Sequence, residues 1–432
     1  MQLTSEQQQI LDGSQGPVLQ KVMKSVVAYG EAFGAEKLVP IEGNPHLVTS
    51  FGANSIKPYF AVLDELIEAG LKTKEPFTVD PRPMEYETLD PGFLNRTVFK
   101  FVFGKQAEYE QQLQKLGLKD GDAFTCACYF PEVGNRPRRG AYLAWSESSA
   151  VVFANSVLGA LTNRNSSGID LMCDILGLAP LFGLMTPEGR QAAWQIDVQT
   201  AELPNPQLLG SAIGLKVMED VPYIRGLEKF LGSGLNEHTE SYLKDMGAAG
   251  ASNGAVGLYH VEGVTPEAVE QGQALLKPGY KTYVIDEAEL KRVKDNYPIL
   301  WKDLNARPER IFIGCPHLSL EQLESWQGKI DQGLKTAGRQ RATVPTTLFT
   351  APQVRREYQE RHPQEYQLLL SQDVHVSTIC PLMYMNNPLA ASHPIATCSN
   401  KLRTYTSARF YLEEEVLPII IHGDANQGGK HG

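Results

Sequence analysis

Apolar residues recur at helical spacing over residues 18–33 (VLQKVMKSVVAYGEAF) and again over 57–69 (KPYFAVLDELIEA), the second run closing at Gly70. Positions three and four apart share one face of a helix, so both stretches predict amphipathic helices. Thr4-Ser5-Glu6 predicts a helix cap ahead of them. Between them residues 37–41 (KLVPI) predict a short strand, followed by the loop Glu42-Gly43-Asn44-Pro45-His46. Residues 123–130 (AFTCACYF), bounded by Gly121-Asp122 and Pro131, predict a strand, and 141–145 predict another. The second leads through the Ser146-Glu147-Ser148-Ser149 cap cluster into an apolar helix at 150–160. A polar loop follows at 161–168, then a helix at 169–176. Later come a buried strand at 254–260, a helix at 286–296, a strand at 310–314 and an alternating run at 374–379. Helices and strands alternate throughout, which is α/β grammar.

Length turns this pattern into more than one domain, since 432 residues exceed a typical domain of about 150. The Pro- and Asn-containing stretch 202–210 (ELPNPQLLG) marks a junction, and residues 283–285 begin a further lobe. The expected division is 1–205, 206–284 and 285–432. Charge narrows the partners. Lys plus Arg is 40 and Asp plus Glu is 50, a net charge of −10, which argues against nucleic acid or an anionic membrane as the main partner. No run of eighteen apolar residues exists, and the opening has neither the basic nor the apolar region of a signal peptide. The expected location is the cytoplasm, and the Gly-rich segment 422–432 is expected to be a frayed tail.

Six cysteines are too sparse for a disulfide scaffold. Cys126 and Cys128 share one face of the strand expected at 123–130 and read as core, as does Cys173 in its apolar helix. Cys315, Cys380 and Cys398 each follow a strand-like run. Ligands gather at strand C-termini in open α/β sheets, and a following helix N-terminus favours the thiolate. From position alone, Gly314-Cys315-Pro316-His317 fits a functional cysteine and a buried turn cysteine equally well. Taken together, three thiolates from three loops suit a metal or iron–sulfur centre with one position open, which a Lewis acid requires. Arg164, flanked by Asn163 and a polar loop, can hold a carboxylate or a phosphate, or can be a solvated connector. The small-residue stretch 247–254 fits close helix packing best, and the basic segment 335–361 fits a solvated face. The histidines form no paired motif, and GxSxG is absent.

Several of these stretches together resemble the aconitase X family. They are Leu3-Thr4 with Leu11-Asp12-Gly13; Glu147-Ser148-Ser149-Ala150 through Ala154-Asn155-Ser156 and Gly159-Ala160 to Thr162-Asn163-Arg164; and Ala251 to Val256 with His260 and Gly263 to Ala268. Gly314-Cys315-Pro316-His317, Cys380-Pro381, and Ser399 with Lys401 complete the pattern, in order, from residue 3 to about 411. The resemblance implies an aconitase-like large lobe of α/β domains around a central cleft. It implies a hydro-lyase that eliminates water from a small hydroxy carboxylate. The expected substrate is cis-3-hydroxy-L-proline, giving Δ1-pyrroline-2-carboxylate; the alternatives are a mevalonate 5-phosphate dehydratase large subunit and a non-catalytic iron–sulfur protein.

A separate small swivel-domain subunit is implied as partner, and the general base is expected there, leaving the catalytic residue of this chain unknown. The expected ligands are Cys315, Cys380 and Cys398, holding a 2Fe-2S or 4Fe-4S cluster or a single iron. The chain departs from the pattern it resembles at Cys398, with Thr397-Cys398-Ser399 where that pattern has Thr-Asn-Ser or Thr-Asp-Ser before the lysine. Asn163 and Arg164 are expected to hold the substrate anion, with Ser50, Ser252 and Lys401 orienting it. A zinc hydrolase built on the same cysteines is the remaining rival, and colour separates it from iron.

Overall fold

Parallel pairing dominates the sheets of the computed structural model, which describes residues 1–49, 52–85, 88–89 and 92–424. Arg310–Leu318 is the central strand of a five-stranded parallel sheet, with Thr346–Thr350 and then Val374–Ser377 on one side. Ile395–Thr397 and Arg409–Phe410 lie on the other side. A four-stranded parallel sheet sets Ala192–Val198 between Pro222–Arg225 and Leu276–Ile285, with His260–Val261 at its edge.

The first third of the chain uses shorter pairings. His46–Leu47 pairs with Thr78–Val79. Single parallel bridges add Trp145 beside His46, Arg164 beside Trp145, and Phe124 beside Val79. Leu38–Pro40 with Leu178–Pro180 is the one antiparallel pair among the described residues.

Parallel sheets are buried on both faces, so their strands are apolar throughout rather than alternating. In the central strand Ile311 and Ile313 pack towards Trp326 and Ile330 of the helix Leu320–Thr336. Phe312 and Cys315 pack the other way, with Phe349, Ile379 and Leu402. The small-residue stretch performs close packing, as its composition predicts. It ends the helix Glu237–Asn253, which crosses Pro206–Val217 so tightly that a Cβ on Gly210 would lie 2.0 Å from the Met246 carbonyl.

Helices match the apolar spacing well: Pro17–Ala32, Lys57–Glu68, Ser148–Ser156, Ser167–Leu176 and Glu287–Asp295 all form. Three expected strands are corrected. Residues 141–145 form no strand and make only single bridges, at Tyr142 and Trp145. Residues 123–130 form no strand: after the bridge at Phe124 the Thr125 hydroxyl accepts from the Ala127 N–H (3.1 Å) and the chain turns. Residues 254–260 are extended coil until His260–Val261.

Candidate functional site

A cavity of about 460 Å³ opens between the first third of the chain and the five-stranded sheet. Its lining follows from chain direction. Val48, Asp80, Cys126 and Glu147 each come one or two residues after a parallel pairing at Leu47, Val79, Phe124 and Trp145. From the opposite side come Cys380, three residues beyond Val374–Ser377, and Lys401, four beyond Ile395–Thr397. Cys315 arrives from within the central strand. The cavity therefore sits at the carboxyl ends of two sets of parallel segments, where open α/β folds place their ligands.

Cys315 reaches the cavity because the central strand bulges. Ile313 pairs with Leu348 and Leu318 with Thr350, so residues 314–317 stand against Phe349 alone. Gly314 makes this possible, with φ at +108°, and any Cβ there would lie 2.4 Å from the Phe349 carbonyl. Ser399 fixes the bulge to its neighbour. Its hydroxyl donates to the Cys315 carbonyl and accepts from the Leu402 N–H (3.1 Å), capping Asn400–Tyr405, the short helix that carries Lys401.

Three thiols thus line the cavity: Cys126, Cys315 and Cys380. Cys398 is not among them. It continues the face of Ala396 and packs with the Trp326–Ile330 side of the sheet, where the two-residue period of the strand directs it. The thiolate expected from a helix N-terminus is also corrected for Cys315. Burial pushes its thiol up to about 12 against the lowering field of Lys401. Burial likewise raises Cys126 and Cys380.

Beside the thiols lies a charged network that the sequence pattern does not reveal. Glu147 caps the helix Ser148–Ser156, accepting from the Ala150 N–H (2.6 Å) and the Ser149 hydroxyl (2.7 Å), and Lys401 donates to it. Burial alone would raise the Glu147 carboxyl, but the Lys401 charge and these bonds outweigh it and hold it at about 2. His46 and Asp80 complete the group: the ligand atoms of His46, Asp80 and Glu147 all lie within 4.8 Å of one another. His46 Nδ1 bonds the Thr78 hydroxyl (2.9 Å). Its Nε2 and Asp80 Oδ1, 3.9 Å apart, have no hydrogen-bond partner. The Lys401 ammonium already neutralises Glu147, so this group reads as a proton-bearing network rather than a cage for a cation.

The other expected residues lie elsewhere. Asn163 serves a turn: its amide donates to the Phe182 carbonyl (2.9 Å) and its Oδ1 accepts from the Leu184 N–H (2.9 Å). The Ser252 hydroxyl donates to the Ala249 carbonyl (3.1 Å) within its own helix. Arg164 is exposed, makes no ion pair among the described residues, and does not line the cavity. Ser50 lies outside the described residues. Among the described residues of that group, Lys401 alone lines the cavity.

Comparisons with known proteins agree with this architecture. Residues 1–188 match the family model for the aconitase X first domain, and residues 191–295 that for the second domain. The chain is 35% identical over 326 residues to the phosphomevalonate dehydratase large subunit of Thermococcus kodakarensis, covering 75% of this chain and 76% of that one. It is 29% identical to the cis-3-hydroxy-L-proline dehydratase of Hypocrea jecorina, over 75% of this chain and 52% of that protein. The crystal structure of Thermococcus kodakaraensis aconitase X in its holo-form superposes with a TM-score of 0.79 at 29% identity, covering 98% of this chain and all of that one. No helix among the described residues is long and apolar enough to cross a membrane. A mixed α/β chain whose parallel strands end at one cysteine-lined cavity, and whose relatives are dehydratases, this protein belongs to the aconitase X family of hydro-lyases.

Proposed function

We propose that the chain is the large, catalytic part of a dehydratase acting on a small hydroxy carboxylate, with Cys126, Cys315 and Cys380 as the thiol ligands of an iron–sulfur centre. The observation that carries this reading is the arrival of three thiols from three separate segments at one cavity that also holds Lys401, Glu147 and Asp80. Cys126 takes the place expected of Cys398. The donor chemistry fits, because thiols select iron–sulfur clusters and zinc over oxygen-loving ions. When bound, the centre supplies a Lewis acid that makes hydroxide a better leaving group.

The chain's own groups divide the remaining work. Lys401, held against Glu147, Ser148 and Ser149, presents a fixed ammonium edge to the substrate carboxylate. Asp80 lines the cavity and offers the substrate a polar contact, whereas His46 is fully buried and does not line it. The base that removes the proton alpha to the carboxylate belongs to a small swivel-domain subunit, in keeping with the large-subunit naming of the Thermococcus relative. The cytoplasm, where thiols stay reduced, suits such a centre.

For the substrate, the described lining contains one side-chain cation besides its histidine, Lys401, already paired with Glu147, and no arginine. That favours an unphosphorylated molecule, cis-3-hydroxy-L-proline, whose ammonium group would meet Asp80. The identity to phosphomevalonate dehydratase large subunits favours the second reading, a phosphorylated substrate. Assaying the chain with its small subunit on both compounds decides between them. Turnover of neither by protein that holds iron and sulfide would leave the non-catalytic reading. For the centre itself, Cys126→Ser, Cys315→Ser and Cys380→Ser are each expected to lose iron and visible absorbance, and Cys398→Ser to keep both. The reverse pattern at Cys126 and Cys398 would overturn the ligand set.

A further inference from the structure

His317 is fully buried, and every polar atom it owns is bonded. Its ring Nε2 lies 3.3 Å from the Ile379 carbonyl, and Ile379 precedes Cys380. Its Nδ1 lies 3.0 Å from the Thr125 hydroxyl, and Thr125 precedes Cys126. Its main-chain N–H donates to the Cys126 sulfur at 3.3 Å. Two residues earlier, on the same bulge, stands Cys315. The His317 carbonyl accepts from the buried Lys244 Nζ (2.8 Å), which also donates to Gln322 (2.6 Å) and sits 3.3 Å from Asp245. The histidine is thereby anchored to the helix Glu237–Asn253, outside all three thiol segments.

The tautomer follows from the partners. A carbonyl can only accept, so the ring proton is on Nε2, and Nδ1 must accept from the Thr125 hydroxyl. That hydroxyl accepts in turn from the Ala127 N–H. Both ring nitrogens are therefore engaged, and neither is free to ligate a metal. An apolar side chain could fill the same space, but it could not tie together segments that are 191 and 62 residues away in sequence.

We infer that His317 is a positioning residue that sets the mutual placement of the Cys126, Cys315 and Cys380 thiols. The inference rests on the thiol set proposed above, and its test separates the two. Full-length protein would be purified anaerobically as wild type, His317→Leu, His317→Gln and Thr125→Val, with thermal unfolding as a check on the fold. Two readouts follow: iron and sulfide per chain, and, after the metal is stripped, the iodoacetamide alkylation rate of each cysteine by mass spectrometry.

In His317→Leu, Cys126 and Cys380 are expected to alkylate about tenfold faster than in wild type, and iron retention at limiting iron to fall by a similar factor, as for other groups that orient metal ligands. His317→Gln keeps an N–H within reach of Ile379, so Cys380 stays protected while Cys126 reacts faster. Thr125→Val frees Cys126 alone. Cys173 and Cys398 serve as controls. Unchanged rates and iron in all folded variants would overturn the inference, as would parallel acceleration of the two control cysteines. Wild-type protein that binds no iron would remove the proposed centre and leave the alkylation pattern to decide the role of His317.

Discussion

Lys401 and Glu147 form a nearly dry ion pair, with side chains 10% and 2% exposed. Burying two charges costs several kcal/mol, and attraction offsets the cost only while both partners stay. Lys401→Met should therefore destabilise the fold by about 3–5 kcal/mol, the range for breaking a buried pair. The double change to Lys401→Met with Glu147→Gln should recover much of that loss while activity stays absent. Urea unfolding of the two variants checks this, and equal midpoints would show that the pair carries no coupling. The glutamate was legible in the sequence only as a helix cap. Its pairing with a lysine 254 positions away has no local signature. Cys126 shows the same limit, since a cysteine in an apolar run reads as core whether or not a cavity lies beside it.

At the scale of the element, the bulge at Gly314–His317 decides which cysteine meets the cavity. Gly314→Ala would put a Cβ 2.4 Å from a backbone oxygen at a φ of +108°. The expected cost is about 1–3 kcal/mol, the range for a residue forced into a rare backbone region. Loss of iron should accompany it as the Cys315 segment shifts. A drop in the urea midpoint at constant slope, together with iron analysis, tests this. An unchanged midpoint and full iron would mean that the bulge tolerates a side chain.

Helices were the more legible elements, because a 3.6-residue period and capping residues are properties of adjacent sequence. The strand expected at 123–130 failed because Thr125 offers its own backbone a turn, which the apolar composition conceals. Cys398 was misplaced for a different reason. The strand before it was read correctly, but strand-end position does not say which face a side chain takes, and that depends on which layer covers each side.

For the whole molecule, acid should loosen the fold in two stages. Burial holds His46 neutral, with its value lowered to about 4 against 6.5, partly opposed by Glu147. Below pH 6.5 the unfolded chain takes up a proton that the folded chain refuses. Stability from this group is therefore complete above pH 6.5 and falls as pH drops towards 4, by up to about 3 kcal/mol at 1.36 kcal/mol per unit. Glu147, lowered to about 2, adds a second loss below its ordinary 4.5, as the pH approaches 2. Urea midpoints from pH 8 to 4 should decline for the wild type and stay flatter for His46→Gln. Parallel curves would show that His46 titrates freely in the folded state.

The sequence by itself determined what nearest neighbours control: the helices and their caps, the α/β class, the acidic charge, and motif order specific enough to indicate the family. It also singled out Cys315 and Cys380, with Cys398 beside them, because strand-to-helix junctions are local and α/β folds gather function there; Lys401 came from the resemblance to the family. Only the tertiary structure decided that Cys126 joins them in place of Cys398, that Glu147 faces Lys401, and that His317 touches the neighbours of two distant cysteines. The reason is physical. Apolar periodicity encodes burial against a partner without naming it, so a buried polar residue looks the same in sequence whether it faces a core or a cavity.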